Sequence, residues 1–218
     1  MLLLAACGGD NGSPPVVVAP APSPQPAPQP TPQPAPEPQP APQPAPEPQP
    51  SPGSVTLAST YTDLIQGSQI GQPNWSDGSG TGSAIAGVNC MSNVQSHTHS
   101  HISIYREGVS LAIPASIGLR GCGYELHTHD RSGVVHVEPN VRRDLTLGQF
   151  FAVWGQPISR TAVAGLAGPV RFYVVENETL TRIDGNPADI VFGRHKQIVI
   201  LTGTAPVVLP KYRWPASL

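Results

Sequence analysis

From Pro20 to Pro52 every second residue is proline, and the residues between are Ala, Ser, Gln, Thr and Glu. Each proline fixes its own φ and drives the preceding residue out of the helical region, so the segment is confined to polyproline II. It has no apolar face to bury. At about 3.1 Å per residue, such a stretch reaches on the order of 100 Å when extended. A uniform repeat offers no register to a proline-binding groove, so it reads as a spacer, ended by Gly53. Nineteen of the 28 prolines lie between Pro14 and Pro52, and setting that region aside leaves 165 residues, Ser54 to Leu218. That length makes one domain with a proper core.

Within this unit 12 Lys and Arg stand against 11 Asp and Glu, with no run of either sign. Aromatic residues are 6% of the chain and do not interleave with basic ones. A near-neutral domain without a stacking platform excludes nucleic acid as the expected partner. No nucleotide loop, GxSxG elbow or zincin helix is present.

The domain reads as strands, one helix, then strands. Ile102 and Ile104, then Val109, Leu111 and Ile113, alternate with polar residues across Arg106-Glu107-Gly108, a hairpin pattern. A second hairpin runs Tyr124–His129 and Val134–Glu138 across Asp130-Arg131-Ser132-Gly133. Thr146 with Gln149 forms a capping box, Leu147, Phe150, Phe151 and Trp154 share one helical stripe, and Gly155 and Pro157 end it. Val170–Val175, Leu180–Ile183 and Gln197–Leu201 follow as strands, with a turn at Asp184-Gly185-Asn186-Pro187. The expected class is α+β, mostly antiparallel sheet with one short helix. The order is β-grasp-like with the first hairpin added, and a small sandwich or barrel stays open. Residues 67–87, rich in Gly and Ser, carry no assignable pattern.

Six of the seven histidines, His97, His99, His101, His127, His129 and His136, fall within 40 residues. On a strand alternate residues share a face, so HTHSH lines up His97, His99 and His101. The four-residue loop of the second hairpin sets His129 opposite Val134, His127 opposite His136 and Glu125 opposite Glu138. Opposed Cβ atoms lie about 4.5–5.5 Å apart, which lets His127, His129, His136 and Glu138 converge on one ion. Imidazole with one carboxylate suits a transition metal. Reduced copper recruits methionine sulfur, yet only Met91 remains beyond Met1, so copper(II) or zinc(II) is expected. His195 stands alone before a strand and reads as structural.

Leu4-Ala5-Ala6-Cys7 resembles the lipobox of bacterial lipoprotein signal peptides. The resemblance implies cleavage before Cys7, acylation of that cysteine, and a membrane-anchored domain facing the periplasm or exterior of the cell envelope. Six residues are short for a complete leader, and the missing part is expected upstream of Met1. The organisation is then 1–7 leader, 8–53 stalk and 54–218 domain. HTHDRSGVVHVE, followed by LTLGQFFAVWG, resembles a motif of uncharacterised secreted or envelope bacterial proteins, which brings no established activity.

With Cys7 lipidated, Cys90 and Cys122 remain as a pair in an oxidising compartment, where a disulfide is expected. The alternative makes Cys122 a thiolate ligand beside His127. Function divides three ways. The first is a metal-binding module handling copper or zinc at the envelope. The second is a metalloenzyme, a hydrolase or a copper or iron oxidase, with Glu138 or Glu125 as base. The third is an interaction domain without metal, its protein partner unspecified.

Overall fold

The computed structural model describes residues 53–205 and 207–218. The expected lipidation site at Cys7, the leader and the stalk up to Pro52 lie outside the described residues. The elements run β1 (Val55–Asp63), β2 (Thr98–Arg106), β3 (Val109–Leu111), β4 (Leu126–His127), β5 (Val134–Val137), α1 (Leu147–Trp154), β6 (Ala162–Val163), β7 (Leu166–Ala167), β8 (Val170–Glu176), β9 (Thr179–Ile183), β10 (Gln197–Thr202) and β11 (Val207–Arg213). The main sheet has the order β4-β5-β2-β10-β8-β9, with β3 paired to β2. All its pairs are antiparallel except β2 with β10. This is the expected α+β class, mostly antiparallel around one α-helix.

Both predicted hairpins form. The first turns at Glu107 and Gly108, whose φ values of 46° and 79° are both left-handed, the backbone that a two-residue hairpin turn needs. Its first strand is more than an addition: β2 lies at the centre of the sheet, between β5 and β10, and the strands outside the core order are β3 and β4. The β5-β2-β10-β8-β9 order, with α1 following β5 in the chain, is the β-grasp-like core.

The sheet has two unlike faces because side chains alternate along each strand. Ile102 and Ile104 of β2, Val135 and Val137 of β5, Phe172 and Val174 of β8, and Ile198 and Ile200 of β10 pack against Leu147, Phe150, Phe151 and Trp154 of α1. Thr146 caps that helix, with the capping box complete, and Gly155 closes it at φ 77°. Gly148 lets it seat on the turn at Pro187–Asp189, since a Cβ there would lie 2.7 Å from the Ala188 Cβ. On the opposite face Tyr105, Tyr173, Val175, Val199 and Leu201 are covered by Val55 and Leu57 of β1 and Val207 and Leu209 of β11. The same face, continued towards β5 and β4, carries the histidines.

Strands β1 and β11 pair in parallel and were not anticipated. Residues 67–87 join the domain through isolated bridges, Gln69 with Arg131 and Gln72 with Leu111. Trp75 sets its ring edge-on to Trp154, centroids 5.1 Å apart. Cys90 and Cys122 are bonded, with Cα atoms 5.8 Å apart. Cys122 is therefore no thiolate ligand, and the disulfide is the kind of cross-link that an oxidising compartment sustains. Among the described residues no helix is long and apolar enough to cross a membrane.

Candidate metal centre

Three adjacent strands build the centre. His99 on β2 pairs with His136 on β5, and His136 pairs with His127 on β4, so three imidazoles form a row across the sheet. The predicted hairpin register holds, His127 opposite His136, and the Glu138 N–H donates to the Glu125 carbonyl at 2.8 Å. His97, just before β2, and His129, just after β4, stand two residues from His99 and His127, on the solvent side of the row. His99, His127 and His136 are buried, whereas His97 and His129 are exposed.

The loop between β4 and β5 is held tightly. Asp130 accepts from the Ser132 and Gly67 N–H groups at 2.8 and 2.6 Å. Gly133, at φ 85°, has room for no side chain, because a Cβ would lie 2.4 Å from the Ile102 carbonyl oxygen. Between His127 of β4 and His129 in the loop that follows, Thr128 Oγ1 donates to the Pro114 carbonyl at 2.8 Å and accepts from Ile117 N at 3.1 Å. The His127 ring is oriented by its Nδ1, which donates to the Tyr124 carbonyl at 2.8 Å and leaves Nε2 with a lone pair for a ligand.

The ring nitrogens meet in two groups. His97, His99 and His136 form one and His127, His129 and His136 the other, and within each group the ligand atoms lie within 4.8 Å of one another. His136 Nδ1 is 3.2 Å from both His97 Nε2 and His99 Nε2. His127 Nε2 and His129 Nε2 are also 3.2 Å apart. Four nitrogens bound tetrahedrally at 2.0–2.1 Å lie about 3.3 Å apart. Glu138 Oε1 adds a carboxylate oxygen, 2.9 Å from His97 Nε2 and 3.4 Å from His136 Nδ1. A ring nitrogen holds one hydrogen or one lone pair, so His136 Nδ1 cannot satisfy three polar neighbours by hydrogen bonding. A cation among them can.

Of the residues singled out in the sequence, His97, His99, His127, His129, His136 and Glu138 are brought together. His101 is not. It occupies the same face, but its Nε2 donates to the Ser132 carbonyl at 2.8 Å and its ring lies 4.6 Å from that of Tyr212. Glu125 is fully buried and spent on structure. Its carboxylate accepts from Asn89 N and Asn140 N, each at 2.8 Å, and pairs with Arg143. The part of Asn140 and Arg143 was missed, because polar residues following a strand look like any loop. His195 is structural as expected, donating to the Leu218 carbonyl at 2.8 Å and stacked on Trp214.

Burial, reinforced by the neighbouring imidazoles, holds His99 down at about 4 and His136 at about 3. Burial alone holds His101 at about 4, against the raising effect of the Ser132 carbonyl. His127 is lowered too, chiefly by burial. These rings are neutral, and so able to bind a metal, at any pH near 7. The same shifts make the metal-free domain acid-sensitive. Because the folded values lie below the ordinary 6.5, the unfolded chain takes up protons first as pH falls. This stabilisation is complete above about pH 6.5 and drains away towards pH 4. The melting temperature of the metal-free protein is expected to be flat above pH 7 and to fall steadily from pH 6.5 to 5, before most carboxylates titrate. A melting temperature constant across pH 5–7 contradicts it.

No protein family, no curated protein and no solved structure matches the chain.

Proposed function

We propose that this chain is a transition-metal-handling lipoprotein of the bacterial cell envelope. It is acylated at Cys7, carried on the 8–53 stalk, and binds copper(II) or zinc(II) in the domain. The observation that carries the reading is the convergence of five imidazoles and the Glu138 carboxylate on one rim of the sheet. The nitrogen and oxygen donor set, with no thiolate, suits these ions. Surplus ligands at an exposed rim favour uptake and release over catalysis. The metalloenzyme reading draws its base from Glu138 or Glu125, but Glu125 is committed to Arg143 and two backbone N–H groups, and Glu138 stands at ligand distance. The disulfide and the lipobox agree in compartment.

The test uses the full chain, made without a polyhistidine tag and dialysed against metal-free buffer. Elemental analysis is expected to find at least one equivalent of copper or zinc retained. The Cys7→Ser variant is expected to leave the membrane fraction. A protein that retains neither metal, or binds them no more tightly than a variant with His99 and His127 both changed to Ala, overturns the handling function. A Cys7→Ser variant that stays with the membrane overturns the anchor.

A further inference from the structure

The two nitrogen groups share one residue, and that sharing has a chemical consequence. His136 stands at the centre of a nearly symmetric arrangement. The rings of His99 and His129 each meet it edge-on, both with centroids 4.4 Å away and planes at 88°. The rings of His97 and His127 lie closer to parallel with it, at 5.3 Å and 29° and at 4.9 Å and 18°. On one side the His97–His99 pair has its centroids 4.5 Å apart, and on the other the His127–His129 pair has them 4.8 Å apart. A single ion cannot draw on both pairs, because the ligand atoms converge as two separate triads.

One ring nitrogen binds one ion. His136 Nδ1 faces His97 Nε2, His99 Nε2 and Glu138 Oε1, so serving the other triad falls to Nε2 of the same ring. We infer that the cluster holds two metal ions bridged by His136 as an imidazolate. This rests on the reading of the domain as a transition-metal binder and specifies its site. The first ion takes His97, His99, His136 Nδ1 and Glu138, a complete tetrahedral set. The second takes Nε2 of His127, His129 and His136, three ligands with a fourth position open to solvent past exposed His129. Bonds of about 2.0 Å on either side of the ring put the ions on the order of 6 Å apart. Occupying the second position replaces the remaining ring proton of His136, which is released to solvent. The bridging ring therefore carries one negative charge between two dications.

The two positions differ in kind. The closed one holds its ion, while the open one exchanges it or accepts an external ligand.

Titrating the metal-free full chain with copper(II) tests the inference. Two equivalents are expected to bind. The electron paramagnetic resonance signal should grow through the first equivalent and shrink through the second, as the two spins couple through the ring. His129→Ala, at an exposed position, is expected to lower the stoichiometry from two to one and to restore the full signal of a single copper. Binding of only one equivalent by the unaltered protein overturns the bridge and leaves metal handling standing. Two equivalents with undiminished signal, or a His129→Ala protein that still couples two coppers, also overturn the bridge. Failure to bind any copper or zinc overturns both.

Discussion

His136→Ala is expected to abolish tight metal binding at the His127–His129 position and to weaken it at the His97–His99 position, where Glu138 remains as third donor. The loss at the first of these is expected to go far beyond the roughly 10–100-fold cost of losing a residue that only orients a ligand. No other ligand belongs to both triads. Removing it leaves His97 and His99 on one side and His127 and His129 on the other, two donors short of a tetrahedral set except where Glu138 reaches the first pair. His97→Ala and His129→Ala each leave the opposite triad whole, and retain tight binding there. Competition with a chelator of known affinity measures all three. His136→Ala binding copper as tightly as the unaltered protein contradicts the shared-ligand geometry. Circular dichroism on the same samples separates loss of ligand from loss of fold.

Glu125→Ala is expected to destabilise the protein by about 3–5 kcal/mol, the cost of breaking a buried ion pair by removing one partner. Glu125 is fully buried, and its two oxygens tie together three segments: Asn89 beside the disulfide, Asn140 after β5, and Arg143 before α1. Deletion strands the two backbone N–H groups without an acceptor. At about 2–4 °C per kcal/mol for a domain of this size, the melting temperature falls by on the order of 10 °C. Glu125→Gln keeps the volume but turns an amide towards donors, and is expected to cost nearly as much. A shift of under about 2 °C for Glu125→Ala, well short of what a buried ion pair costs, removes the carboxylate from the list of structural anchors.

The helix was legible because its signals are local. Thr146, Gln149, the apolar stripe and Gly155 lie within ten residues, and each acts on its neighbours. The His127–His136 pairing was legible for the same reason: a four-residue loop leaves little freedom of register, and the period of two then decides which side chains share a face. The strands β8, β9 and β10 showed themselves as apolar runs between turn residues. By contrast β1 and β11 carry weak patterns, Val55–Asp63 being mostly polar and β11 interrupted by Pro210. They become strands by pairing with each other from opposite ends of the domain and closing over Tyr105, Val199 and Leu201.

The candidate centre divides along the same line. That imidazoles cluster and that one row crosses the second hairpin follow from spacing alone, whereas the Cys90–Cys122 disulfide is expected from the oxidising compartment that the lipobox resemblance implies. Bringing His99 to His136, 37 residues away, takes the β2–β5 pairing, which is set by burying Ile102 and Ile104 against α1. That pairing also separates His101 from the others, turning it to Ser132 and Tyr212, and it makes His136 the member common to two triads. Local sequence constrains a strand's alternation and a short loop's closure. Which strand lies next to which, and which nitrogen faces which, is decided by the core that the whole chain buries.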